Sequence, residues 1–272
     1  MDAKEKLIVA LDVDSLDKAK PLVESLAPYV GCFKVGLELL TAVGAPRVVE
    51  FVHSLGGQVF YDGKFKDTPN TVARASRAVR KMGVKMFNIH CFGGKEMMRK
   101  ARGAVDTAFS ADETLMVGRK VLHARSLILG VTILTSLDYG DLVEMGIFEK
   151  LNIANPQELA EVEQWKMEAL VVRHLARLAQ ENGLDGVVCS PKEIRAIREY
   201  CQPGFIIVTP GIRDKDSPPD DQKRTMTAGE AIRAGADYLV IGRPITKAPD
   251  PVLATKKFLE QIDTALQNHL RR

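Results

Sequence analysis

The 272-residue chain has only four cysteines, Cys32, Cys91, Cys189 and Cys201, and no two lie closer than twelve positions apart. Without a CxxC pair there is no case for a zinc knuckle, a redox motif or a disulfide framework, and the four read as reduced core thiols. A surplus of charge is missing as well, since 38 Lys and Arg stand against 35 Asp and Glu. That balance gives no electrostatic case for a polyanion, and Arg271-Arg272 is too short for a basic arm, so no nucleic-acid partner is expected. No apolar run approaches the roughly 18 residues of a membrane span, and the residues from Met1 to Lys6 lead into a strand without an apolar signal core. The expectation is a cytoplasmic protein that neither spans a membrane nor is exported. The phosphate cradles GxGxxG and GxxxxGK[ST] are both absent, which counts against an open doubly wound nucleotide-binding sheet.

What is present is a rhythm. With 46% hydrophobic residues the chain can bury a large core, and α/β barrels of about 250 residues run as one domain. Short apolar runs recur at Leu7–Leu11, Cys32–Val35, Val59–Tyr61, Met86–His90, Ile128–Leu134, Gly186–Cys189, Ile206–Thr209 and Tyr238–Ile241, each followed by a segment long enough for a helix. Helix starts are marked by capping boxes, in which a side-chain oxygen and a Glu three positions later satisfy orphan amides reciprocally: Asn155-Pro-Gln-Glu158, Ser190-Pro-Lys-Glu193 and Thr227-Ala-Gly-Glu230. Eight β-then-α units with continuous apolar strands predict a parallel sheet closed into a single (β/α)8 barrel over residues 1–272. Connections near 106–126 and 138–165 are longer than a barrel needs and read as surface elaborations.

Active sites of such barrels lie at the C-terminal ends of the strands. The residues predicted there are Asp12, Lys34, Asp62, Lys64, Asp67, His90, Thr135, Ser190, Thr209 and Gly242-Arg243. The densest stretch is Gln58-Val-Phe-Tyr-Asp-Gly-Lys-Phe-Lys-Asp-Thr-Pro-Asn-Thr71, where opposite charges gather as a strand ends and a helix begins. An exposed salt-bridged loop would have the same composition. Lys34 is the sharper signal, because a lysine in the apolar setting Cys-Phe-Lys-Val requires a carboxylate partner or a shifted pKa unless it snorkels from an edge strand. Strand seven leads into Thr209-Pro-Gly-Ile-Arg213 with Gln222 beyond, and strand eight into Gly242-Arg243-Pro-Ile-Thr246. Glycine admits an oxyanion close to the backbone and arginine can grip it with a two-pronged fork, so these loops predict a phosphate site.

Six motifs in order, Val-Ala-Leu-Asp12, Phe-Lys34-Val-Gly, Asp62-x-Lys64-x-x-Asp67 with Pro-Asn-Thr71, Thr135-Ser136, Thr209-Pro-Gly-Ile-Arg213 and Ile-Gly-Arg243-Pro-Ile-Thr, resemble orotidine 5′-phosphate decarboxylases of the bacterial type. The likeness extends from about residue 5 to 265. It implies a homodimeric (β/α)8 barrel that converts orotidine 5′-monophosphate to UMP without metal or organic cofactor. It further implies that Lys64 donates a proton to C6 of the pyrimidine and that Asp62 sits beside the departing carboxylate. Lys34 and Asp67 would complete an alternating array, with Asp67 and Thr71 reaching into the partner's site. Asp12 and Lys34 would hold the ribose, Thr135 the base, and Arg213, Gln222, Gly242 and Arg243 the phosphate.

The chain departs from that pattern at Thr68, where isoleucine is expected, and after the fourth strand, where His90-Cys-Phe-Gly-Gly replaces His-Ala. Thr68 keeps the β-branch and loses apolar contact, and His90 also reads as a histidine at the rim of the core. A related group, the hexulose phosphate synthases and keto-gulonate phosphate decarboxylases, shares Asp-x-Lys-x-x-Asp but uses a divalent metal. An acidic residue is expected there where this chain has Lys34. A nonenzymatic nucleotide-binding barrel is the remaining alternative, and binding alone would not require the array of Lys34, Asp62, Lys64 and Asp67.

Overall fold

Eight parallel strands close on themselves in a computed structural model, which describes residues 2–108, 115–117, 120–122, 125–149, 157–158, 161–162, 171–214 and 224–270. The barrel strands are β1 (Leu7–Ala10), β2 (Cys32–Val35), β3 (Val59–Phe65), β4 (Met86–His90), β7 (Leu127–Val131), β8 (Gly186–Val188), β9 (Ile206–Thr209) and β10 (Tyr238–Ile241). Between β4 and β7, strands β5 (Leu115–Val117) and β6 (Lys120–Leu122) pair antiparallel as a separate ribbon inside the first of the two long connections. Around the barrel the order is β1, β2, β3, β4, β7, β8, β9, β10, and β10 pairs back to β1 with Val9 opposite Ile241. This is the predicted (β/α)8 architecture.

The alternation of side chains along each strand explains why the strands read as unbroken apolar runs. Leu7 and Val9 of β1 pack outward against the helices, together with Phe33 and Phe87. Ile8, Ala10, Cys32, Phe60, Met86, Leu129, Val208, Tyr238 and Val240 fill the barrel interior. Both faces are therefore dry, and a fully buried Leu, Ile or Phe side chain contributes about 1.5–3 kcal/mol of transfer free energy. The outer helices bury stripes of matching period, such as Ala19, Val23 and Leu26 of the helix Leu16–Leu26, and Val72, Ser76 and Val79 of the helix Pro69–Lys81.

Local signals set several boundaries. Thr68 precedes a proline at the first turn of Pro69–Lys81. The capping boxes at Ser190 and Thr227 are both formed and open a 3-10 turn before Ile194–Tyr200 and the helix Ala228–Ala234. The one proposed at Asn155 lies outside the described residues. A further box, Asp138 with Asp141, starts the helix Tyr139–Glu144 in the second long connection.

β1 and β8 each end one residue early, at Ala10 and Val188, and two strand ends differ from expectation by more than that. The fifth barrel strand stops at Val131, short of Leu134, so that Ile133 to Thr135 turn over the barrel mouth. The third continues past Tyr61 to Phe65, because its pairing to β4 jumps from Tyr61 opposite Phe87 to Phe65 opposite Ile89. Four steps on one strand match two on the other, so Asp62, Gly63 and Lys64 belong to a bulge within the strand. Of the cysteines, Cys32, Cys91 and Cys189 are buried and unpaired, and Cys201 is half-buried. Burial pushes the Cys32 and Cys91 thiols up to about 12, as befits inert core positions.

Candidate active site

The inward parity of each strand, continued past the apolar layer, lands on polar residues. Ile8 and Ala10 lead to Asp12, Cys32 leads to Lys34, Phe60 to Asp62 and Met86 to Asn88. The register aligns them, with Ala10 opposite Lys34 and Lys34 opposite Phe60. They form the floor and one wall of a cavity of about 380 Å³ at the C-terminal end of the barrel, a size typical of small-ligand sites.

Charges alternate along this floor. Lys34 Nζ lies 2.9 Å from Asp12 Oδ1 and 3.3 Å from Asp62 Oδ2, and Lys64 Nζ lies 2.7 Å from Asp62 Oδ1. The side chain of Asp62 is only 8% exposed and that of Asp12 is 59% exposed. Solvent therefore screens the outer pair, and the electrostatics are decided by the inner ones. Burial alone would raise the pKa of Asp62, but the ammonium groups of Lys34 and then Lys64 outweigh it and hold the carboxyl below its ordinary value. Burial alone would lower that of Lys34, but Asp62 and Asp12 reverse the sign and raise it. At neutral pH the site is thus an ionised carboxylate gripped between two ammonium groups.

Lys64 has φ of +48°, the one positive value at a non-glycine residue among those described. A left-handed conformation at such a residue costs about 1–2 kcal/mol and persists only where neighbours impose it. The neighbour is Asn88, whose Oδ1 accepts from the Lys64 backbone N–H at 2.8 Å while its Nδ2 donates to Asp62 Oδ1 at 2.6 Å.

Across the mouth, β9 stands four strands away from β3 in either direction. The positive φ of Gly211 (+77°) turns the chain there, so that Ile212 pairs with Met226 and the Arg213 N–H donates to Met226 O at 3.0 Å. After β10, Gly242 and Arg243 open the short helix Arg243–Thr246. Arg213, Gly242, Arg243 and Lys247 all line the cavity, as does Thr135 from the turn after β7. One wall is therefore basic and rich in backbone amides, and the floor carries the alternating charges.

A family model described as orotidine 5′-phosphate decarboxylase / HUMPS matches residues 5–258. The chain belongs to this family. It is 48% identical over 264 residues to the orotidine 5′-phosphate decarboxylase of Moorella thermoacetica, spanning 97% of this chain and 94% of that protein. To the protein of the same name in Trichlorobacter lovleyi it is 47% identical over 266 residues, 98% of each. Among solved structures, the orotidine 5′-phosphate decarboxylase of Lactobacillus acidophilus matches with a TM-score of 0.71 at 30% identity, covering 94% of this chain and 98% of that one.

The orotidine 5′-phosphate decarboxylase / HUMPS motifs that carried the resemblance do not all meet in one place. Asp12, Lys34, Asp62, Lys64, Thr135, Arg213, Gly242 and Arg243 line the cavity. Asp67 and Thr71 do not; Asp67 is exposed, with Oδ1 accepting from the Thr68 N–H at 2.6 Å, and the hydroxyls of Thr68 and Thr71 lie 3.0 Å apart. Gln222 lies outside the described residues. Of the other predicted rim residues, Ser190 caps the turn after β8 and Thr209 donates to Cys189 O at 2.9 Å, so neither faces the cavity. His90 is partly buried at the end of β4 and also stays off the lining. Burial, followed by Lys64 and Lys66, lowers its pKa and keeps the ring neutral at pH 7. The residues not anticipated are Asn88 and Lys247. Asn88 could have been found by the argument applied to Lys34, as a polar residue at inward parity in an apolar strand. Lys247 follows Arg243 at helical spacing.

Proposed function

We propose that this chain is an orotidine 5′-phosphate decarboxylase that converts orotidine 5′-monophosphate to UMP and carbon dioxide, the last step of pyrimidine nucleotide synthesis. The observation that carries the reading is the chain of alternating charges Asp12, Lys34, Asp62, Lys64 on the cavity floor, facing a wall with Arg213 and Arg243. The phosphate binds at Arg213, Gln222, Gly242 and Arg243, Thr135 meets the base, and Asp12 and Lys34 hold the ribose. That grip delivers the pyrimidine C6 carboxylate to the floor, next to Asp62 and Lys64.

The C6–carboxylate bond breaks heterolytically, carbon dioxide departs, and the electron pair stays on C6. No adjacent group can delocalise that pair, so the transition state is stabilised by a fixed cation. The Lys64 ammonium supplies it, then transfers a proton to C6 and regains one from water. Asp62 has two effects here. It crowds the substrate carboxylate with like charge, and its contacts hold both lysine side chains in place before substrate arrives. Contacts to the distant phosphate contribute by orienting the ring.

Lys34 also bears on the choice within the family. Its ammonium sits between the carboxylates of Asp12 and Asp62, where a metal-dependent relative would need an acidic ligand, and this supports a reaction without a metal. Asp67 and Thr71, exposed on one chain, complete the partner's site in a cytoplasmic homodimer formed by a single-domain barrel. The test is loss of orotidine 5′-monophosphate absorbance in chelated buffer, wild type beside Lys64→Ala. Turnover by wild type alone is expected, and turnover of a sugar phosphate only when divalent metal is added would reject the reading.

A further inference from the structure

The strained turn that presents Lys64 is held by a side chain that belongs to another strand. Asn88 lies on β4 at inward parity and is 1% exposed. Its two hydrogen bonds define the orientation of its amide. The Lys64 backbone N–H can only donate and the ionised Asp62 carboxylate can only accept, so a flipped amide would set donor against donor and acceptor against acceptor. The bond to Lys64 also falls inside the β3 bulge, where the ladder between β3 and β4 is interrupted. Asn88 thus bridges the backbone of Lys64 and the side chain of the carboxylate that pairs with its ammonium.

We propose that Asn88 is a positioning residue of the decarboxylation, holding Lys64 in its left-handed conformation and Asp62 in register so that the Lys64 ammonium faces the reacting carbon. The proposal rests on the decarboxylase reading above. It assigns Asn88 no contact with the reacting atoms. Its effect is geometric, and a displacement of about 1 Å at a reacting group can lower a rate on the order of 100-fold.

Two substitutions separate this role from a merely structural one. Asn88→Ala removes both bonds, and kcat is expected to fall about 100-fold. KM and UMP affinity are expected to stay within about threefold, because the phosphate contacts lie across the cavity and the two bonds of Asn88 go to Lys64 and Asp62, not to Asp12 or Lys34. Asn88→Asp is nearly isosteric. When protonated, the introduced carboxyl can donate to Asp62 and accept from the Lys64 N–H; when ionised, it meets Asp62 with like charge. The charged groups facing it are Asp62 and Lys64 on β3 and, beyond Asp62, Lys34 on β2. β7 presents apolar Leu129 opposite, and His90 two residues along β4 is neutral at pH 7. Asp62, gripped by two ammonium groups, keeps its charge, so the introduced carboxyl holds the proton and titrates late.

Asn88→Asp is therefore expected to approach wild-type kcat at low pH and to lose it as pH rises, a limb absent from wild type and from Asn88→Ala. Exchange of the Lys64 backbone amide proton, followed by NMR, is expected to quicken in Asn88→Ala and to slow again in Asn88→Asp at low pH. Wild-type kcat in Asn88→Ala, or matching pH profiles for the two variants, would overturn the positioning role while leaving the decarboxylase reading intact. If wild type itself failed to turn over, that reading would fall and the catalytic part of the proposal with it. Unchanged Lys64 exchange in Asn88→Ala would reject the geometric part whatever the turnover.

Discussion

Asp62 shows how single residues set the chemistry. A carboxylate this deeply buried would resist ionisation on its own, yet Lys34 and Lys64 keep its pKa below the ordinary value. A depressed folded pKa means that its contribution to stability is fully present above the ordinary carboxylate value of about 3.9 and is lost as pH falls through the lower folded value. Lys34 has the opposite sign: its raised pKa gives a contribution present below the ordinary lysine value and lost only as pH climbs through the higher folded one. The cluster is therefore expected to be constant in charge across the neutral range. A carboxyl carbon NMR titration should find Asp62 ionised at pH values where exposed carboxylates are half protonated, and a midpoint at or above the ordinary value would contradict the paired site. Lys34 and Asp62 were legible in the sequence because charge in an apolar strand demands a partner. The left-handed φ of Lys64 was not, because Gly63 beside it is the residue that such a conformation ordinarily selects.

At the scale of elements, the site depends on how loops are tied to one another. Glu193 is fully buried and serves two elements at once: its Oε2 accepts from the Ser190 N–H in the capping box after β8, and its Oε1 pairs with Arg224. Arg224 ends the connection that follows Arg213 and also donates to Leu134 O at 3.3 Å, beside Thr135. One buried ion pair thus joins the rims of β7, β8 and β9. Removing one partner of such a pair destabilises a protein by about 3–5 kcal/mol, since it leaves the other charge buried and alone. Arg224→Ala is expected to lower the unfolding free energy by that order in denaturant titration and to raise KM for a phosphate-bearing substrate; an unchanged midpoint would show that the tie carries little. The Ser190 box was readable from its four-residue signature, whereas Arg224 was not, because its partner is 31 positions away. Strand cores were likewise legible, and β2, β4, β9 and β10 were legible end to end; the ends of β3 and β7 were not, since the bulge in one and the early stop of the other arise from pairing to neighbours. The β5 and β6 ribbon and the helix Tyr139–Glu144 were missed inside segments read only as long connections.

At the scale of the whole molecule, the barrel and its family were the most legible, because eight buried strands with polar ends repeat one signal eight times. The assembly is where a single chain says least: Asp67 and Thr71 stand exposed, away from the cavity of their own chain. If they complete a partner's site, a mixture of Asp67→Ala and Lys64→Ala chains should regain activity as heterodimers, each with one intact site. With random exchange the mixture should reach about a quarter of wild-type activity, and no gain after verified exchange would contradict a shared site. The proposed role of Lys64 in a decarboxylation without metal is tested by turnover of orotidine 5′-monophosphate in chelated D2O by wild type and Lys64→Ala. Wild type is expected to give UMP carrying deuterium at C6, undiminished by chelation, and a folded, UMP-binding Lys64→Ala variant a rate lower by at least about a thousandfold. Wild-type turnover that stops on chelation and returns with Mg²⁺, or a Lys64→Ala rate close to wild type, would contradict that role.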